Sequence, residues 1–458
     1  MDMTKGSIRR NLILFIIPLA VGNVLQQLYN ITDVFILGRY VGSDALAAVG
    51  AVTIMTFVFN AIIFGLKAGI SIVCSTHFGE KNYSKVKTTI STGIILLVIL
   101  GLLSTLIGVC GCDAILAMLH TPKELLGEAA VYLRIYSIGI FFVFMFNFCY
   151  AVFQSLGNSR IPFIILVIST AVNIVGDITL VIYFNMGVAG TAIATVLAQA
   201  ISSIVAALFL VKEFKAVDTN KEKYKLFDVE VLKNVFSVGF PSIVQQAIVS
   251  VGILIVQSYI NRCGADTISG VTIASKIEGI VSMPIVTIGE AVSVFTAQNV
   301  GAKKEYRIRE GVTTALKIDY ILVTILLVVL IFTGKPITRL FLGGKANEEI
   351  LTASFEYLMS LGIGLYFMSI NHSVGGMLRG IQKMMPFLGS FVINIFVRII
   401  AAYILFHAFW RIGVFIANPV SFMAGSIVAL YFYKKLYYDK YIRRNRYEEG
   451  SYYKCNEA

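Results

Sequence analysis

An all-α polytopic membrane protein, with twelve transmembrane helices in two pseudo-symmetric six-helix bundles, is the fold that three observations predict. The composition is 57% hydrophobic and only 14% charged, with a mean hydropathy of +0.82, too apolar for a soluble globule. Apolar runs of about 20 residues, the length that crosses a bilayer core, recur from one end of the chain to the other. The third observation is repetition. GSDALAAVGA from Gly42 returns as GADTISGVTIA from Gly264, and SIVCSTHFGEKN from Ser71 returns as SVFTAQNVGAKK from Ser293, both at a 222-residue offset.

The first span, 11–38, is not a signal peptide, because no small-residue cleavage site follows a short core and the apolar pattern runs on past Asp33. Spans at 47–77, 88–112, 128–156, 160–183 and 187–213 complete the first half. The second half reads as 229–261, 269–300, 311–333, 348–381, 385–409 and 411–437. Pro18 and Pro241 lead the first helix of each half, and Gly42-Ser43-Asp44 reads as a turn. Pro162 and Pro386 open the two fifth helices after the basic turns GNSRIP and GIQKMMP. The stretch from Lys212 to Lys233 is the only long polar segment before the tail. The expected organisation is therefore an N-terminal bundle (1–213), a cytoplasmic linker (214–228), a C-terminal bundle (229–437) and a cytoplasmic tail (438–458). An even helix count makes the repeats parallel, with a binding site between the halves near mid-membrane and transport by rocking. A duplicated static channel is the other reading of repetition.

The net charge of +12 does not point to nucleic acid, because its distribution is topological. With the N-terminus inside, inner segments collect 26 Lys and Arg and outer loops seven. That positive-inside bias puts both termini in the cytoplasm of a cell-membrane protein. The six cysteines form no CxxC pair and no Cys/His cluster of metal-ligand spacing. No nucleophile–base or phosphate-loop constellation appears either, so no enzyme and no cofactor are expected.

Polar groups inside the spans are the functional signal, since a charge at the centre of a bilayer helix costs roughly 2.5–3.5 kcal/mol on insertion scales. Asp33 stands in the first span, and the alternative for it is a snorkelling acid near the helix end. In the fifth span, Asn173 and Asp177 are four residues apart and share a face. In the sixth, Thr191 and Thr195 do the same. Two carboxylates in a low-dielectric pocket cannot both stay charged cheaply, so either a proton joins the pair or a hard cation neutralises it. The structural alternative is an Asn–Asp hydrogen bond between helices.

Lys67 lies in mid-span in the second helix and must pair with an acid or face water. The repeat offset carries it to Gly289, and its neighbour Ala68 to Glu290, so Lys67 and Glu290 are expected to couple by charge in one access state. A lysine snorkelling along a tilted helix is the alternative. Arg398 occupies the second half's counterpart of the Asp177 region, one turn after Asn394, so the second half lacks the acidic pair. Gln26, Gln27, Gln245 and Gln246, on the two proline-led helices, offer neutral hydrogen bonds to a substrate. His372 lies on a Gly-rich tenth helix that can line the cavity.

The ordered set LYNITDVFILGRYVGSDALAAVG, FGEKN, FQSLGNSRIP, the Asn173–Asp177 pair, QNVGAKK and LRGIQKMMP resembles the multidrug and toxic compound extrusion (MATE) family, in its bacterial DinF-like and MepA-like branch. The resemblance spans essentially the whole chain. It implies the MATE fold of the MOP superfamily and export of organic, mostly cationic amphiphiles in exchange for H+ or Na+. It also implies that Asp33, Asn173, Asp177 and Thr195 form the coupling-ion site, with a backbone oxygen from Thr191. Na+ held by these side chains would be the only metal. Glu290 resembles an eighth-helix acid used for cationic substrates, and Lys67, Gln26, Gln27, Gln245, Gln246, His372 and Arg398 are expected to line the substrate cavity. The seventh-helix acid of the NorM-like branch is absent, with Gln245, Gln246 and Ser250 nearby.

The expected cycle begins with the ion entering the first-half site in the outward-open state. The first helix then repacks near Pro18 or Gly22, where backbone bonding is weak, and the substrate leaves. Expected partners are small organic cations or amphiphiles and the lipid bilayer, with no nucleic acid and a monomer as the working unit. The rival reading is a lipid-linked precursor flippase, or an exporter of one metabolite, within the same superfamily.

Overall fold

With no water in the bilayer core, backbone polar groups must be satisfied within the chain, and a helix does this inside one segment. The computed structural model describes residues 1–216, 223–342 and 347–435, and every regular element among them is a helix. Residues 217–222 of the expected linker and the expected tail, 438–458, lie outside the described residues. The elements are α1 (Ile8–Ile36), α2 (Ser43–Ala51), α3 (Thr53–Gly79), α4 (Tyr83–Cys110), α5 (Cys112–Met118), α6 (Leu126–Ser155) and α7 (Arg160–Asp177). They continue as α8 (Gly187–Ala216), α9 (Val229–Ile260), α10 (Ala265–Gly301), α11 (Glu305–Leu342), α12 (Glu348–Gly380) and α13 (Met384–Tyr433).

Eleven stretches among the described residues are long and apolar enough to cross a membrane. The last, α13, has 50 residues, which would run about 75 Å if straight, far beyond a bilayer core of about 30 Å. Trp410 breaks it, with φ 54° and ψ −135°, so α13 provides two spans and the expected twelve are reached. The break falls between the two spans that the sequence separates there.

Two short helices, α2 and α5, are not anticipated by the span reading, and the predicted turn at 42–44 shrinks to Gly42. Its φ of 125° is open to glycine and re-aims the chain directly into α2. Two further departures concern hydrogen bonding. After α1, Leu37–Val41 switches to i→i−5 bonds, and after α7 Ile178–Tyr183 does the same. Asp33 lies in the last turn before the first switch, and Asp177 immediately precedes the second.

The chain divides into two compact units. The first comprises Met1–Ala247 with Gly279–Thr314, and the second Ile248–Glu278 with Ala315–Ala458 as far as it is described. In the first unit, small residues let helices close in. A Cβ at Gly22 of α1 would stand 2.7 Å from Leu166 Cδ1 of α7, and one at Gly176 of α7 would stand 3.0 Å from Ala194 Cβ of α8. These contacts set α1, α7 and α8 against one another.

Two non-helical segments are pinned within the first unit. Met3 is fully buried, and its carbonyl, with those of Lys5 and Gly6, accepts from the Arg307 guanidinium at 3.1–3.4 Å. Gln298 of α10 accepts from Met3 N at 3.0 Å. The segment 223–228 lies along α4, whose hydroxyls at Ser84, Thr88, Ser91 and Thr92 share one face. Ser84 donates to Lys223 O at 2.7 Å, Ser91 donates to Lys225 O at 3.0 Å, and Thr88 and Thr92 accept from Lys225 N and Asp228 N at 3.2 Å each. Lys225 holds the Asp228 carboxyl below the usual carboxylate range, where it also caps α9 by accepting from Glu230 N and Val231 N.

Candidate functional site

The acids of the first half meet. Asp33 on α1 faces the side chains of Asp177 and Asn173 on α7 and of Thr195 on α8. Asp177 and Asn173 are buried at 0% and 1% exposure, while Asp33 and Thr195 are half-buried. Asn173 Nδ2 donates to Thr195 Oγ1 at 3.4 Å. Asp33 Oδ1, Asn173 Oδ1 and both oxygens of Asp177 are buried, and no protein donor reaches them. Buried polar atoms are nearly always paired. A set of hard oxygen acceptors with two carboxylates among them is therefore a chemically suitable cradle for a proton or Na+. Thr191 shares the α8 face and is buried, but its hydroxyl donates to Val188 O at 2.9 Å within its own helix.

Apart from Gln26, sequence reasoning missed the tyrosine and amide wall around this cluster. Tyr29 approaches Gln26 and Gln199, and Tyr136 approaches Asn60. The rings of Tyr132 and Tyr136 stack at 6.1 Å with 8° between their planes. A signal was present. Tyr29 precedes Asp33 by one turn, and Gln199 extends the Thr191–Thr195 ladder by another, so both continue faces already marked as polar.

A second polar centre in the same unit joins Lys67 of α3 to Glu290 of α10. Lys67 Nζ lies 3.0 Å from Glu290 Oε1 and 3.1 Å from Oε2. The two side chains are 16% and 13% exposed. The ammonium also sits 4.6 Å from the centroid of the Tyr150 ring of α6, a cation–π contact. Tyr150 donates to Asn23 Oδ1 of α1 at 3.5 Å, and Asn23 Nδ2 donates to Thr287 Oγ1 of α10 at 2.9 Å. Charge and hydrogen bonds thus tie four helices together at one level.

The MatE family model matches the chain twice, over residues 18–179 and 241–404, each match opening on one of the two paired prolines. The chain belongs to the MatE family. Members of this family are multidrug efflux transporters rather than enzymes. Among curated relatives, the probable multidrug resistance protein YoeA of Bacillus subtilis (strain 168) is 27% identical over 454 residues, covering 96% of each chain. The multidrug export protein MepA of Staphylococcus aureus (strain N315) is 24% identical over 433 residues, 93% of this chain and 94% of that one. A solved outward-facing structure of a multidrug resistance MATE family transporter of the MOP superfamily superposes with a TM-score of 0.89 at 22% identity. It covers 96% of this chain and 98% of that one.

The other residues expected at the cavity of this MatE transporter fall in both units. In the first, Gln26 neighbours Tyr29, Gln27 donates to Gly279 O at 3.5 Å, Gln245 is buried with its Oε1 unmet by a donor, and Gln246 is half-buried. In the second, the His372 ring meets Phe391 edge-on at 5.6 Å. Arg398 is half-buried near Tyr357, whose hydroxyl donates to Glu278 Oε2 at 2.6 Å. The second unit also holds an acid the sequence reading passed over. Asp319 on α11 is fully buried and accepts from the Ser373 hydroxyl at 2.7 Å.

Proposed function

We propose that this MatE protein is a secondary active multidrug efflux transporter, exchanging small organic amphiphiles against H+ or Na+ by alternating access. The observation that carries the proposal is the cluster of Asp33, Asn173 and Asp177, in which four buried oxygens, Asp33 Oδ1, Asn173 Oδ1 and both of Asp177, meet no donor, with Thr195 beside it. Taking up one cation there changes both the charge and the packing of α1 against α7 and α8. The hydrogen-bond switches after Asp33 and Asp177 support this, since a bulge in the i→i−4 ladder is a place where a helix re-registers at low cost. Glu290 then receives the cationic group of the substrate, and the amides on α1 and α9 contribute neutral hydrogen bonds.

The twofold family match supports the reading of two bundles, 1–213 and 229–437, that rock about the substrate. The basic inner segments support a cell-membrane location with both termini in the cytoplasm. The relatives' names, a multidrug resistance protein and a multidrug export protein, support xenobiotics as the cargo. The deciding experiment is proteoliposome transport of a fluorescent amphiphile, driven separately by a pH gradient and by a Na+ gradient. Asp33→Asn and Asp177→Asn are expected to abolish gradient-driven transport while leaving insertion intact, and full transport in both variants would refute the assignment.

A further inference from the structure

We propose that the cleft between α4, α6 and α8 binds a phospholipid with an anionic headgroup, one acyl chain lying in the cleft and the phosphate at Lys215. The inference is independent of the antiport reading and needs only that these helices span a bilayer. The cleft has a volume of about 710 Å³, within the roughly 300–1,000 Å³ of small-molecule sites. Ile94 and Val98 of α4, Phe141 and Phe148 of α6, and Ala207 and Val211 of α8 line it. Along α4 the lining runs from Ile90 to Val98, about 12 Å at ~1.5 Å per residue. Ile94, Val98 and Val211 are exposed, so the cleft opens sideways on a face that meets lipid.

Charge is confined to one end. Lys215, in the last turn of α8, is exposed and is the one charged residue lining the cleft among the described residues. At the same end lies Lys87 of α4, 3% exposed, its ammonium 5.1 Å from the centroid of the Phe214 ring and 5.6 Å from that of Tyr224. Those two rings meet edge-on at 5.6 Å, and both line the cleft. A lysine at a helix end lays its methylenes along apolar surface and holds its ammonium at headgroup level. Basic pockets between membrane helices take anionic headgroups in this way. An apolar cleft with cations at its mouth therefore fits a ligand with an apolar tail and one anionic end, and it repels a cationic amphiphile. Tyr224 and Leu226 close the cleft on the connector side. They belong to segment 223–228, whose backbone is tied to the α4 hydroxyls at 2.7–3.2 Å. A lipid chain in the cleft thus packs against the connector that leads into α9.

The test is native mass spectrometry of the full-length protein, delipidated in detergent and titrated with equal amounts of palmitoyl-oleoyl phosphatidylglycerol and the phosphatidylcholine of the same chains. The tightest-bound lipid is expected to be the anionic one, by about fivefold (~1 kcal/mol, one lysine at a headgroup). Lys215→Gln is expected to lower that preference about threefold or more, whereas Lys335→Gln, an exposed lysine of the second unit, should leave it unchanged. Ala207→Trp and Val98→Trp fill the cleft from opposite walls, and each is expected to weaken retention of the anionic lipid about tenfold. A monodisperse gel-filtration peak checks the fold of each variant. In nanodiscs, hydrogen exchange over residues 223–228 should be slower in phosphatidylglycerol than in phosphatidylcholine, and Lys215→Gln should erase the difference. Equal retention of the two lipids, an unchanged preference in Lys215→Gln, or full retention in the folded Trp variants overturns the inference. So does an equal loss in Lys335→Gln, which would mark a general attraction of anionic lipid to a basic protein.

Discussion

Asp177→Asn separates function from stability more sharply than any other change at the ion cluster. Asp177 is fully buried, and no protein donor reaches either of its carboxyl oxygens. Asparagine has the same shape, removes the charge and introduces an NH2 group beside the Asp33 carboxyl, whose Oδ1 lacks a donor. A buried polar atom without a partner costs about 1–3 kcal/mol, so satisfying it is expected to stabilise the fold by that amount. On the proposed reading, the same substitution removes a carboxylate that holds the coupling ion. In the wild type, one charge crossing a 100 mV potential supplies about 2.3 kcal/mol, enough for a ~50-fold concentration ratio of a substrate that carries no net charge. In the variant that ratio is expected to fall to about one, while substrate binding at the separate Lys67–Glu290 centre persists. Ligand linkage gives a further readout. Raising the coupling ion to 100 times its Kd stabilises the wild type by about 2.7 kcal/mol, and the variant should lose that response. Thermal unfolding in nanodiscs, with and without the ion, and gradient-driven flux in proteoliposomes measure the two sides. A variant that melts earlier than wild type, or that still concentrates substrate against a gradient, would refute the reasoning.

Other expectations follow from single contacts. Gly176→Leu places a branched side chain where even a Cβ stands 3.0 Å from Ala194; it is expected to spread α7 from α8 and abolish coupled flux, whereas Gly176→Ala, one methyl larger, should retain part of it. Arg307→Ala removes the guanidinium that Met3, Lys5 and Gly6 carbonyls accept from. Faster hydrogen exchange over residues 1–6 is expected, with unchanged exchange in the helix cores. The double change Thr88→Val, Thr92→Val removes the acceptors for Lys225 N and Asp228 N. At about 0.5–1.5 kcal/mol for each bond, segment 223–228 should become accessible to protease cleavage while α4 stays intact.

Some of the site could be read before the fold was known, and the reason is geometric. Residues four apart on one helix share a face whatever the helix packs against, so Asn173 with Asp177 and Thr191 with Thr195 were readable as pairs. The Lys67–Glu290 contact was readable for a different reason. A duplicated chain places near-equivalent positions at similar depths, and the 222-residue offset brings Glu290 within one residue of the Lys67 equivalent. Asp319 was missed because it has no polar residue one turn away on α11; its partner, Ser373, comes 54 residues later on another helix.

The sequence by itself determined that this is a twelve-span membrane transporter chain of duplicated design, down to the interruption at Trp410. Apolar length and the cost of bare backbone in lipid leave a chain little choice but helices of that size. Tertiary structure alone decided which acceptors would gather without a donor. That outcome depends on how closely α1, α7 and α8 approach through Gly22 and Gly176, and on ladders that loosen to i→i−5 after Asp33 and Asp177. Neither close approach nor hydrogen-bond register is a property of one segment. Both emerge when neighbouring helices compete for the same space.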